Sequence, residues 1–144
     1  MICSDYTGIL VVDKQKGWTS HDVCAFVRSR FRIKKVGHAG TLDPLATGVL
    51  VVLLGNATKK SKELSSCDKD YYGTLQFGLK TDSQDISGKV LETKSWEHVN
   101  EQLLKEAFEK FRGELEQLPP MVSALKHQGI RLYQLAREIG RAHV

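Results

Sequence analysis

Gly37-His38-Ala39-Gly40-Thr41-Leu42-Asp43-Pro44-Leu45-Ala46-Thr47-Gly48 runs directly into Val49-Leu50-Val51-Val52-Leu53-Leu54-Gly55. Three glycines and a proline in the first twelve residues argue against a regular helix or strand there. The six apolar residues that follow, closed by Gly55, read as a buried strand. A glycine-rich loop feeding a buried strand is held at its base and open at its tip. Its only ionisable side chains are His38 and Asp43. Such a loop either closes a tight turn, with Asp43 bonding backbone ahead of Pro44, or presents a carboxylate to a substrate.

Upstream, Gly8-Ile9-Leu10-Val11-Val12-Asp13-Lys14 is an apolar run that predicts a strand buried on both faces. Lys16-Gly17 turns the chain. Thr19, three residues before Asp22, predicts a capping box with Asp in place of Glu. The helix that follows carries Val23, Phe26, Val27 and Phe31 on one core-facing stripe. Downstream, Asn56 to about Ser65 predicts a short second helix. The alternation from Tyr71 to Leu79 predicts a half-buried strand. In the polar connection Thr81–Gly88, Asp82 and Asp85 suit Asx-type turn bonding better than half a cation site. Lys89–Thr93 reads as a short strand. Asn100 caps a third helix that turns Leu103, Leu104, Ala107, Phe108 and Phe111 inward and ends at Gly113. Pro119-Pro120 forces an extended entry to a last segment. There Lys126 and Arg131 offer charge to phosphate, and Leu132, Leu135 and Ala136 suit the buried side of a helix. Strands interrupted by single helices at uneven spacing predict an α/β fold of the α+β type. Its sheet is mixed and largely antiparallel, flanked by helices, with no regular βαβ repeat.

At 144 residues the chain is one domain, long enough to bury roughly two-thirds of its unfolded surface. A hydrophobic content of 41% and a charged content of 26% suit a globular protein. No apolar run approaches the ~20 residues that span a bilayer. No basic region followed by an apolar segment opens the chain, so a secretory signal is not expected. Cys3, Cys24 and Cys67 are odd in number and widely spaced, which predicts free thiols in a reducing compartment. Charge is uneven. From Arg28 to Lys62 eight basic residues meet one acid, Asp43, whereas from Glu63 onward eleven basic residues meet thirteen acidic ones. Positive charge flanking an acidic centre suits a polyanionic substrate; from charge alone a solvated helix face serves equally well.

The twelve-residue loop closely resembles the catalytic loop of the TruB family of tRNA pseudouridine synthases, G-H-x-G-T/A-L-D-P-x-A-x-G, and meets every fixed position. The resemblance extends from Gly8 to about Arg137. Asp13-Lys14-Gln15-Lys16-Gly17-Trp18-Thr19-Ser20-His21-Asp22 is similar to the family's D-K-P-x-G-x-T-S-H-D, with Gln15 in the proline position. Asp68-Lys69-Asp70-Tyr71 is similar to D-K-x-Y, and Thr81–Gly88 to T-D-S/T-x-D-x-x-G. Pro119–Arg137 is similar to P-P-x-x-S-A-x-K-x-x-G-x-R-L-Y-x-x-A-R.

The resemblance implies the pseudouridine synthase fold and isomerisation of a T-loop uridine of tRNA, in the manner of the bacterial branch. Asp43 is then the catalytic residue. Tyr71 lies against the uracil, and His38, at the loop tip, fills the space of the flipped base. Lys14 and Lys126 bind substrate. No cofactor and no metal are implied, no membrane is involved, and the protein is a cytoplasmic monomer. The family's K-G-x-Y-I/V-R block, whose arginine pairs with the catalytic aspartate, has no counterpart here. Glu138-Ile139-Gly140 reverses an expected E/Q-G-I. Residues 1–144 are therefore expected to form a partial catalytic domain without the C-terminal, PUA-like RNA-binding domain. Little turnover is expected of this length, with Asp43 free to pair with Lys14 or Lys35. Two rivals remain at this point. One is a non-catalytic RNA-binding fragment. The other is a glycoside hydrolase, which usually needs a second carboxylate that the loop lacks.

Overall fold

Gly48–Leu54 forms β3, the central strand of a three-stranded sheet in a computed structural model that describes residues 6–116 and the backbone of 126–127 and 130–131. The chain divides into two units, 1–71 and 72–144. In the first, β1 (Gly8–Lys14) and β2 (Val36–Ala39) flank β3, both antiparallel to it. Gly8 lies opposite Leu54 on one side of β3, and Val36 lies opposite the same residue on the other. Between β1 and β2 runs α1 (Ser20–Phe31). After β3 come a 3-10 turn, Gly55–Lys60, and α2 (Ser61–Ser65), together covering the predicted second helix.

Alternation across β3 divides the core. Leu50 and Val52 pack with Val23, Cys24 and Val27 of α1 and with Ile33 and Val36. Leu53, on the opposite face, packs with Ala39 and Ala57. Leu50, Val52 and Leu53 are at most 1% exposed, and each such burial contributes roughly 1.5–3 kcal/mol. β1 departs from the expectation of burial on both faces. Leu10 and Val12 pack toward α1, but Ile9 and Val11 are exposed, because β1 is an edge strand with its helix on one side only.

The capping box at α1 forms as expected. The Asp22 amide donates to Thr19 Oγ1 at 3.0 Å, and the Thr19 amide donates to Asp22 Oδ2 at 2.8 Å. The stripe is narrower than expected. Val23 and Val27 are buried, whereas Phe26 and Phe31 are exposed, and Phe26 meets Trp18 edge to face at 5.9 Å. A second departure concerns Gly37, His38 and Ala39. They belong to β2, so the irregular stretch shrinks to Gly40–Thr47. Gly40 (φ +92°) and Gly48 (φ +110°) require glycine's left-handed freedom, whereas Gly37 does not have a positive φ.

In the second unit β4 (Leu79–Thr81) and β5 (Val90–Thr93) form an antiparallel hairpin with an irregularity at Lys80/Thr81. Its connection folds on itself. Asp85 Oδ1 accepts from Ser83 Oγ, Ser87 Oγ and the Ser87 amide at 2.7, 2.6 and 2.8 Å. Asp82 Oδ1 accepts from the Lys89 amide at 2.8 Å. The Asp85–Ser87 bond is the expected Asx-type turn, whereas Asp82 reaches seven residues on and ties the two ends of the connection instead. The expected strand from Tyr71 is not formed: residues 71–76 are irregular, and only Leu79–Thr81 pairs. Alternation makes a strand only when a neighbour completes its ladder.

Asn100 caps α3 (Glu101–Glu109) by accepting from the Leu103 amide at 2.9 Å. The helix ends at Glu109, before Gly113. Its apolar face is not buried: Leu103 is 46% exposed, Phe108 52% and, beyond the helix, Phe111 74%. A last antiparallel pair joins β6 (Lys126–His127) to β7 (Ile130–Arg131). Cys3, Pro119-Pro120 and the expected last helix with Leu132, Leu135 and Ala136 lie outside the described residues. The result is a mixed α/β structure with antiparallel sheets and helices, as expected.

Candidate active site

Gly40–Thr47 leaves the edge strand β2 and enters the central strand β3. Within it Asp43-Pro44-Leu45-Ala46 makes a turn closed by the Ala46 amide donating to the Asp43 carbonyl at 3.0 Å. Pro44 suits the second position because its φ is preset. The turn reading of this loop and the presentation of a carboxylate are therefore compatible. The backbone makes the turn, and Asp43 is exposed, its carboxylate without a hydrogen bond or ion pair among the described residues.

The loop is braced by the segment before α1. Gly17 donates its amide to the Pro44 carbonyl at 2.7 Å. Ser20 Oγ donates to the Leu42 carbonyl at 3.2 Å and accepts from the Leu42 amide at 2.9 Å. The bracing segment is itself tied by Lys14. Its Nζ donates to the carbonyls of Trp18 at 2.7 Å and Gln15 at 3.2 Å. Lys14 is fully buried, so its ammonium serves the turn rather than pairing with Asp43. Gly17 and Ser20 were not singled out by sequence reasoning as loop supports. Their signal in the sequence is the block Asp13–Asp22, which contains both the glycine of the turn and the serine between the capping residues Thr19 and Asp22.

His38 stands in β2 opposite Val52, one residue before the strand ends, and not at the loop tip as expected. Nδ1–H donates to the Gly40 carbonyl at 2.6 Å, which fixes the tautomer and holds the half-buried ring against the loop's entry. The His38 carbonyl accepts from Ser61 Oγ at 3.0 Å, joining β2 to α2. Lys69 Nζ donates to the carbonyls of Ser65 and Cys67 at 2.7 and 2.6 Å, closing the end of α2. The same side chain passes Gly40: a Cβ there would stand 3.8 Å from Lys69 Cε. Tyr71, two residues on, is 69% exposed. Lys126 belongs to the β6–β7 pair, and its side chain lies outside the described residues. Of the flanking cations Arg30, Arg32, Lys34, Lys35, Lys59, Lys60 and Lys62 are exposed, whereas Arg28 Nη2 donates to the Val36 carbonyl at 3.2 Å.

The sequence pattern described as "TruB family pseudouridylate synthase (N terminal domain)" matches residues 28–142. The chain belongs to this family. Among relatives of this TruB-family chain is the tRNA pseudouridine synthase B of Geotalea uraniireducens, 52% identical over 131 residues, which are 91% of this chain and 42% of the relative. That of Geobacter sulfurreducens is 50% identical over 90% of this chain and 43% of the relative. That of Opitutus terrae is 47% identical over 92% and 55%. The TruB-family chain thus spans about half the length of these relatives. Among solved structures, a crystal structure of a Cbf5-Nop10-Gar1 complex superposes with a TM-score of 0.55 at 27% identity, covering 85% of this chain and 31% of the other. The TruB-family chain has the pseudouridine synthase fold. No helix among its described residues is long and apolar enough to cross a membrane.

Proposed function

We propose that this chain takes part in isomerising a T-loop uridine of transfer RNA to pseudouridine, with Asp43 as the acting carboxylate. The observation that carries the reading is an exposed Asp43 on a loop whose backbone is tied on both sides, by the Ser20 hydroxyl before it and the Gly17 amide after it, in a TruB-family chain. Residues 1–144 supply the catalytic-loop part of the catalytic domain. The N1–C1′ bond of the uridine breaks, the base turns, and C5 joins C1′. The proton lost from C5 is balanced by one gained at N1, so no electron or group carrier is consumed. A carboxylate stabilises or bonds the separated fragments. The base must first leave its stack, at a cost of a few kcal/mol.

His38, oriented by the Gly40 carbonyl, flanks the vacated stack. Tyr71 lies on the uracil, and Lys126 offers charge to phosphate. Lys14 serves substrate binding through the turn that its ammonium holds. The setting is the cytoplasm, and the protein acts as a monomer without a metal.

Asp43→Asn tests this. A residue needed only for the turn tolerates Asn, which serves turns as Asp does. A residue needed for the chemistry does not. Single-turnover isomerisation is measured in the chain and in a fusion that adds the C-terminal half of the Geotalea uraniireducens relative. In the fusion the rate is expected to fall by several orders of magnitude, about 1.4 kcal/mol of barrier per factor of ten. RNA affinity stays within a few-fold. Equal rates for parent and variant would reject the catalytic reading and leave the exposed basic run as support for an RNA-binding role alone.

A further inference from the structure

Ser20 is 2% exposed and occupies the first position of α1, yet it does not cap that helix; Thr19 does. Its hydroxyl leaves its own element and meets Leu42, donating to the carbonyl at 3.2 Å and accepting from the amide at 2.9 Å. A hydroxyl has one donor and two acceptor sites, so one side chain satisfies both backbone groups of the residue before Asp43. On the other side of Asp43, Pro44 is held by the Gly17 amide at 2.7 Å. The backbone entering and leaving Asp43 is thus fixed by a single segment, and only the entering side depends on a side chain.

We propose that Ser20 is a positioning residue for Asp43, acting through Leu42 to aim the carboxylate without touching substrate. This rests on Asp43 being the acting carboxylate. Without the hydroxyl, both backbone groups of Leu42 lose their partner and the segment before Asp43 is free to rotate. The Pro44 side keeps the loop in place, so RNA still binds while the carboxylate loses its aim.

Ser20→Ala and Ser20→Gly remove the hydroxyl, and Ser20→Thr keeps it. Amide hydrogen exchange at Leu42 is read by NMR in the 144-residue chain. The single-turnover rate and the Kd for a tRNA transcript are read in the fusion described above, beside Asp43→Asn. In the Ala and Gly variants, Leu42 exchange is expected to rise about ten-fold or more while β3 amides keep their protection. The rate is expected to fall about ten- to a hundred-fold, with Kd within about two-fold, and Thr restores both properties. Unchanged Leu42 protection in both the Ala and Gly variants overturns the proposal. So does a rate loss matched by an equal loss of RNA affinity, or a parent rate in these variants when Asp43→Asn is inactive. A parent rate in Asp43→Asn instead overturns the reading of Asp43, and the role of Ser20 with it.

Discussion

Cys24 lies on α1 at 1% exposure, clustered with Val23, Val27 and Leu50, whereas Cys67 is exposed beyond α2. Burial pushes the Cys24 thiol up, and the nearby Arg28 charge opposes this only in part. Native Cys24 is therefore a protonated, shielded thiol and a poor nucleophile. Because its folded pKa is raised, its contribution to stability is complete below the ordinary thiol range and is lost as pH rises through the raised value. Pulsed iodoacetamide labelling at neutral pH should modify Cys67 in the native chain and Cys24 only in denaturant; native labelling of both at similar rates would contradict the placement. At this scale the loop's own residues left a turn and a presented carboxylate both open for Asp43; the turn is made by backbone, and the catalytic reading of the side chain came from the twelve-residue resemblance. His38 was less legible. Its ring bond to Gly40 depends on β2 reaching Ala39, and two glycines around a histidine argue locally against a strand.

The helix α1 is set by its first turn. Hydrogen bonds from the Thr19 side chain and then its backbone hold the Asp22 carboxyl below the usual aspartate value. A depressed folded pKa gives stability that is present above the unfolded value and lost as pH falls through the folded one. Thr19→Ala is expected to lower stability by about 1 kcal/mol at neutral pH, with a smaller difference from the parent in strong acid. Urea unfolding of the two proteins at both pH values checks this; an equal difference at both would remove Asp22 from the cap. Elements with a local start and a buried face, α1 and β3, could be read from sequence. The stretch 71–78 and the apolar side of α3 could not, since alternation and amphipathicity state a need for a partner and do not supply one. β1 was misread for a related reason: an unbroken apolar run cannot distinguish a strand covered twice from an edge strand covered once.

Across the whole molecule, charge and fold separate. Among the described residues the ion pairs Lys94–Glu92, Lys105–Glu101 and Arg112–Glu109 lie in the second unit with exposed partners, and such pairs contribute little. Arg30, Lys59 and Lys60, exposed in the first unit, have no such carboxylate partner among the described residues. Alanine at Arg30, Lys59 or Lys60 should each lower the slope of log Kd against log salt by about 0.7 to 0.9 if a phosphate contact is lost, while the chemical step is unchanged. A constant slope with a collapsed single-turnover rate would reassign these residues. Arg28 belongs apart, because its bond to Val36 makes its loss a cost to the fold as well. The α+β class was legible from uneven element spacing. The division into two units was not, since no linker composition marks the region around Tyr71. The Asp43 loop hangs between a seven-residue strand paired on both sides and a four-residue strand paired on one. Its two posts are unequal in stiffness, and a load applied at the tip is taken up at the weaker one. The support at the Gly48 end is thus the firmer of the two, like the heavier post of a gate.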